Sequence, residues 1–247
     1  MILFLSFSEI KTCVYAETIG GEVSYWFVST DVEVRSNREE IVGTDIDFND
    51  VLDVDGSIGT PEFNGWFRFG DHHRITFGYI PLRLDGEAEI DQDITFKGTV
   101  FHIDEFIETS FDVNWFNLFY EWDIINSDYG ILGIRGGAEI FSVEADLISD
   151  FASADADAGA ISPAVGAFAE FYITGSLAVE AKLDAFILNI GDVDFLLFDG
   201  KGGLRWDVTP NVGLGAGLHV LRMELEVDED RAEVTLVGPY VKGTIRF

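Results

Sequence analysis

Val237-Gly238-Pro239-Tyr240-Val241-Lys242-Gly243-Thr244-Ile245-Arg246-Phe247, the last eleven residues of the chain, separate into two faces when read two at a time. Val237, Pro239, Val241, Gly243, Ile245 and Phe247 form an uncharged row, while Tyr240, Lys242, Thr244 and Arg246 form a polar one. Successive side chains of a strand point to opposite faces, so the stretch reads as a strand with one oily and one ionised side. The same arrangement recurs upstream. Leu177, Val179, Ala181, Leu183, Ala185 and Ile187 stand against Glu180, Lys182 and Asp184, and Leu204, Trp206 and Val208 against Lys201, Arg205 and Asp207. Val165, Ala167, Ala169, Phe171 and Ile173 oppose Glu170 and Tyr172. By the same parity Glu62, Arg68, Glu121, Asp123, Arg135 and Glu139 fall on the charged side.

Working outward, ten such segments are expected, near residues 21–35, 60–70, 74–86, 109–124, 130–146, 164–173, 176–189, 196–208, 212–227 and 231–247. Asp71-His72-His73, Asn126 to Tyr129, Thr174-Gly175 and Thr209-Pro210-Asn211 read as tight turns. The alternate connections, 36–59, 87–108, 147–163, 190–195 and 228–230, read as mostly longer, acidic loops. Short turns on one rim and long loops on the other describe a transmembrane β-barrel. An even strand count puts both chain ends on the short-turn rim. The fold expected is therefore all-β, a closed antiparallel transmembrane barrel of about ten strands, with eight or twelve as the alternatives.

A soluble barrel or sandwich also alternates, but three features favour the membrane. The oily rows run uncharged for four to six positions, enough for an apolar band about 25 Å tall, where a Lys or Arg would cost roughly 2–4 kcal/mol. Tyr120, Trp122, Phe171, Trp206, Tyr240 and Phe247 gather toward strand ends, where a membrane interface favours aromatic rings. The polar face carries Gly133, Gly137, Gly203, Gly213, Gly215 and Gly217, which let side chains from opposite walls meet.

Composition narrows the function classes. The chain has 247 residues, 45 Asp and Glu against 15 Lys and Arg, and a formal charge of −30, so the basic face that nucleic-acid binding needs is missing. With 47% hydrophobic residues, it is no acidic disordered chain. One Cys gives neither a disulfide framework nor a thiolate metal site. Residues 1–20 read as a signal peptide or an N-terminal extension: Ile2 to Phe7 is apolar and Val14-Tyr15-Ala16 fits a cleavage site, yet the segment begins without a positive charge. Residues 21–247 are the barrel.

The whole of 21–247 resembles the small outer-membrane β-barrel proteins of Gram-negative bacteria. The resemblance rests on strand count, on turn and loop asymmetry, and on the ending Gly243-Thr244-Ile245-Arg246-Phe247; Pro61 to Gly70 and Asp91 to Phe96 are also similar to members of that group. It implies a bacterial outer-membrane location, contact with outer-membrane lipid and lipopolysaccharide, and an assembly signal carried by Tyr240, Ile245 and Phe247 for the barrel assembly machinery. It transfers no active-site motif and fixes no oligomeric state.

Parity assigns the lumen eight acids, Glu62, Glu121, Asp123, Glu139, Glu170, Glu180, Asp184 and Asp207, and seven bases, Arg68, Arg135, Lys182, Lys201, Arg205, Lys242 and Arg246. Buried charges persist when paired, so a salt-bridge network plugging the barrel is expected. Nearly all of the net charge then belongs to rims and loops. Pairs such as Asp45 with Asp47, Asp91 with Asp93 and Asp155 with Asp157 offer weak Ca²⁺ or Mg²⁺ sites, to one another or to lipopolysaccharide phosphates; a solvated, mutually repelling rim is the plainer reading. No other cofactor is indicated.

Candidate chemistry is sparse. His72 and His73 lie in a turn, His219 on the lumen parity of a glycine-rich strand, and His102 beside Asp104 and Glu105 in an acidic loop. Only His102 has the neighbours to activate water. The expected role is non-enzymatic: structural or surface-interacting, with limited permeation. A narrow channel for a small or hydrophobic solute is the first alternative and a surface hydrolase the second.

Overall fold

The computed structural model describes residues 18–35, 46–47, 57–90, 93–96, 99–190, 193–227 and 230–247. Nearly all of the expected leader, together with Asp45 and Asp91, lies outside them. Thirteen strands follow in chain order: β1 (Ile19–Arg35), β2 (Ile46–Asp47), β3 (Ser57–Phe69), β4 (His73–Glu89), β5 (Ile94–Phe96), β6 (Thr99–Phe101), β7 (Phe106–Ser127), β8 (Gly130–Ser149), β9 (Ser153–Thr174), β10 (Leu177–Ile190), β11 (Val193–Thr209), β12 (Val212–Val227) and β13 (Asp230–Arg246). Ten of them, β1, β3, β4 and β7 to β13, pair each with the next, and β13 pairs back onto β1, closing an antiparallel barrel. The seam is tight. Gly20 faces Arg246 and Tyr25 faces Val241, and the amide of Thr18 donates to the Phe247 carbonyl at 2.8 Å. Thr18, the first described residue, and Phe247 stand together on the rim of the short turns.

The outward face locates the membrane. Along β7 the outward side chains are Phe116, Leu118, Tyr120, Trp122 and Ile124, all exposed; above them come Asn114, Asp112, Ser110 and Glu108. β7 spans 22 residues, about 70 Å of chain at roughly 3.3 Å per residue. A tilted strand needs only about 9–11 residues to cross. About half of β7 therefore stands outside the bilayer, on the side away from the short turns.

That overhang revises the expected loops. The segment 147–163 is largely strand: β8 runs to Ser149, β9 begins at Ser153, and only three residues separate them. Its sequence, Ser153-Ala154-Asp155-Ala156-Asp157, alternates with period two, but between small and acidic residues. Beyond the bilayer the outer face meets water, so a strand can persist without the oily row that marks it inside the membrane. The 87–108 connection likewise contains the β5–β6 hairpin, and 190–195 closes within a few residues.

Inside, the barrel is divided by height. Toward the overhang, Leu84, Ile90, Ile94, Phe101, Ile107, Phe111 and Leu147 form an apolar cluster into which the β5–β6 hairpin is folded. Below it Trp26, Val28, Ile80, Leu82, Trp115, Phe119, Leu197 and Leu236 form a second. The portion toward the short turns is strongly charged, and there a cavity of about 770 Å³ is lined by Gly70, Asp71, Asn126, Gly175 and Pro210 of the turns and by charged side chains beneath them.

Candidate functional site

The polar half of the lumen brings together the side chains that strand parity points inward. Lys242 of β13 lies 2.7 Å from Glu22 and 2.5 Å from Glu180, and Lys201 of β11 lies 2.5 Å from Glu62 and 3.6 Å from Glu22. Arg205 holds Glu170 at 2.5 Å, Asp207 at 3.0 Å and Glu180 in close contact; Arg246 closes on Asp207. Two other links run along the β3–β4–β7 wall: Arg68 with Asp123 at 2.6 Å, and Arg74 with Glu121, its cross-strand neighbour, at 2.5 Å. Arg135 lies 3.4 Å from Glu121 and 3.2 Å from Asp184, its guanidinium 3.7 Å above the Phe119 ring.

Three participants escaped the sequence reading: Glu22, Arg74 and Asp199. Each lies on an inward row, Asp199 just two residues before Lys201. His219 was expected inward. It stands 2.7 Å from Glu62 and 2.7 Å from Asp199, stacked on Trp26 with ring centroids 4.1 Å apart. Lys182 departs from expectation. It lines the cavity but has no carboxylate within ion-pair distance among the described residues, because Asp184, two places along its own strand, turns to Arg135.

Tyr240 also departs, from the interfacial row. Its side chain points inward and is 2% exposed, with the Lys201 ammonium 4.4 Å above the ring. Its neighbours on the uncharged row of β13 face outward, and even residues of that strand face in. A Cβ on Gly203 or Gly217 would come within 2.7 Å of the Tyr240 hydroxyl, so these two glycines provide its space. Tyr120, Trp122, Phe171, Trp206 and Phe247 do face outward and are exposed, as does Ile245.

The acidic pairs above the membrane band lie on adjacent strands. Asp157 is opposite Glu144, which is opposite Asp112; Asp155 is opposite Asp146. Like charges placed so repel. Asp93 is engaged differently: it accepts the Ile103 amide at 2.8 Å and lies 3.6 Å from His102 Nδ1. The Ile103 amide holds the Asp93 carboxyl below its ordinary value, and Glu105 is lowered by the Ser149 hydroxyl at 2.6 Å and the His102 amide at 3.0 Å. The side chain of Asp47 is outside the described set.

No protein-family model matches the sequence, and no curated protein matches it. Among solved structures the fold is similar to the outer membrane protease OmpT from Escherichia coli, with 12% identity, 96% of this chain and 100% of that one covered, and a TM-score of 0.56. The attachment invasion locus protein Ail of Yersinia pestis aligns at 12% identity over 91% of this chain and 99% of that one, TM-score 0.40. Neisserial surface protein A aligns at 12% identity over 93% and 97%, TM-score 0.37. Ten strands closed end to end, an oily outer band, an ionised interior and the likeness to the OmpT structure give the chain the fold of the bacterial outer-membrane β-barrels.

Proposed function

We propose that the protein is a sealed, non-enzymatic barrel that serves the outer membrane as a structural and surface-interacting element, with little permeation through its axis. The observation that carries the reading is the lumen's layering. The cavity at the short-turn rim reaches the buried Tyr240, which with Trp26 and Trp115 belongs to the lower apolar cluster, and above it stands the other, into which the β5–β6 hairpin folds. A solute path would have to cross both layers, and no hydrated ion crosses packed aromatic side chains without their displacement. The surface part of the proposal draws support from the acids of β7, β8 and β9 above the membrane band, at the height of lipopolysaccharide phosphates, where Ca²⁺ or Mg²⁺ would bridge the two.

Planar-bilayer recording of the refolded barrel tests the sealed lumen. Insertion without a steady conductance step is expected; a reproducible ohmic step would overturn it.

A further inference from the structure

Three carboxylates from three strands converge just beyond the polar cavity. One oxygen each of Glu139 (β8), Asp184 (β10) and Asp199 (β11) lie within 4.8 Å of one another, and the residues are 0%, 1% and 2% exposed. The sequence explains how they meet. Asp184 and Asp199 are directly opposed in the β10–β11 register, and on β9 the residue opposite Asp184 is Gly166, where a Cβ would strike Asp184 Oδ1 at 2.1 Å.

The surrounding donors do not use these oxygens up. Trp115 donates its indole N–H to Glu139 Oε2 at 2.5 Å and His219 takes Asp199 Oδ1 at 2.7 Å. Glu139 Oε1 and both oxygens of Asp184 are buried without a hydrogen bond. Arg135 reaches Asp184 only at 3.2 Å through Nε and is shared with Glu121, His219 is shared between Asp199 and Glu62, and Lys182 has no carboxylate within ion-pair distance among the described residues. Buried carboxylate oxygens left so are costly. An ion that accepts oxygen from all three would remove that cost.

We propose that Glu139, Asp184 and Asp199 form a divalent-cation site of the Ca²⁺ class inside the lumen. Calcium takes oxygens at about 2.3–2.6 Å, so ligands on opposite sides of it stand about 4.6–5.2 Å apart, the span over which these oxygens are set. Soft metals are disfavoured by an all-oxygen donor set. The ion reaches the site from the cavity, past Arg135 and Lys182, which line it. The site is distinct from the acids on the outer wall.

Equilibrium dialysis of ⁴⁵Ca²⁺ against the refolded, EDTA-treated barrel in detergent, at neutral pH and physiological salt, tests this. One ion per chain is expected, with affinity at least tenfold lower in Asp184→Asn and in Glu139→Gln, and unchanged in the outer-wall double variant Asp155→Asn/Asp157→Asn. Gel mobility before and after boiling shows which variants are folded, and either lumen variant suffices. Absence of a stoichiometric ion in the wild type at millimolar Ca²⁺ overturns the proposal. So does an ion retained by a folded lumen variant, or one lost with the outer-wall acids.

Discussion

Lys242 Nζ lies 2.7 Å from Glu22 Oε2, an ion pair that joins the last strand of the barrel to the first. The same ammonium holds Glu180 at 2.5 Å. Lys242→Met would leave two half-buried carboxylates without this partner, at a cost below the about 3–5 kcal/mol of breaking a fully buried pair. The variant is expected to lose its compact, unheated gel mobility at a lower temperature than the wild type. An unchanged transition temperature would refute the pairing as a source of stability.

Arg205 grips three carboxylates with one guanidinium. A lysine offers a single point charge in place of the fork. Arg205→Lys should therefore destabilise, and Arg205→Met more so. Adding Glu170→Gln to Arg205→Met should recover part of the loss by removing an orphaned charge, since Arg205 is the cation that pairs with Glu170. Urea unfolding in lipid vesicles measures all three, and additive effects in the double variant would contradict a shared network.

Trp26 and Trp115 belong to the lower apolar layer, the one nearer the cavity. Removing both indoles as Trp26→Ala/Trp115→Ala opens space at a cost of about 3–5 kcal/mol each. Because the upper layer of Ile94, Phe101 and Phe111 still closes the axis, bilayers carrying the double variant are expected to stay as silent as the wild type. A steady conductance step in the double variant would place the whole seal in the two indoles.

Leu118 and Asp112 are both outward on β7, yet on opposite sides of the membrane boundary. Leu118→Arg should cost about 2–4 kcal/mol. Asp112→Asn should be near neutral, since Asp112 has Glu144 opposite it on one side and Arg83, 3.9 Å away, on the other. Vesicle refolding titrations that give equal costs would misplace the band.

Asp93 and Glu105 have carboxyls held below their ordinary values of 3.8 and 4.5 by hydrogen bonds. The stability they give the β4–β7 connection is fully present above those values and is lost as pH falls through the lowered ones. NMR of the Ile103 and His102 amides across an acid titration is expected to show midpoints below the ordinary values. Midpoints at or above them would contradict the hydrogen-bonded loop.

Strand parity made much of this architecture legible, because a lipid-facing row cannot carry charge. It placed Lys242 and Arg246 inside and Val241 and Ile245 outside. It was silent where both faces are apolar: Trp115 and Phe119 share the inward row of Glu121, but their neighbours Phe116 and Leu118 are equally oily. The inner layering was invisible for that reason. Tyr240 lay among strand-end aromatics, and only its even position told against an interfacial role. Asp155 and Asp157 sat in a strand whose alternation was too weak to separate from a loop. The meeting of Glu139 with Asp184 and Asp199 depends on barrel curvature across β8 to β11, which no linear pattern encodes.

The cavity at the short-turn rim is lined by eight basic and six acidic residues, within a chain whose overall charge is −30. The acids Asp112, Glu144, Asp146, Asp155 and Asp157 stand at the opposite end of the barrel. Asp123, Glu62 and Asp184 answer the lining cations Arg68, Lys201 and Arg135, so the molecule is electrically polarised along the barrel axis, between an ion-paired mouth and an anionic collar. Polyanions approaching the collar are repelled.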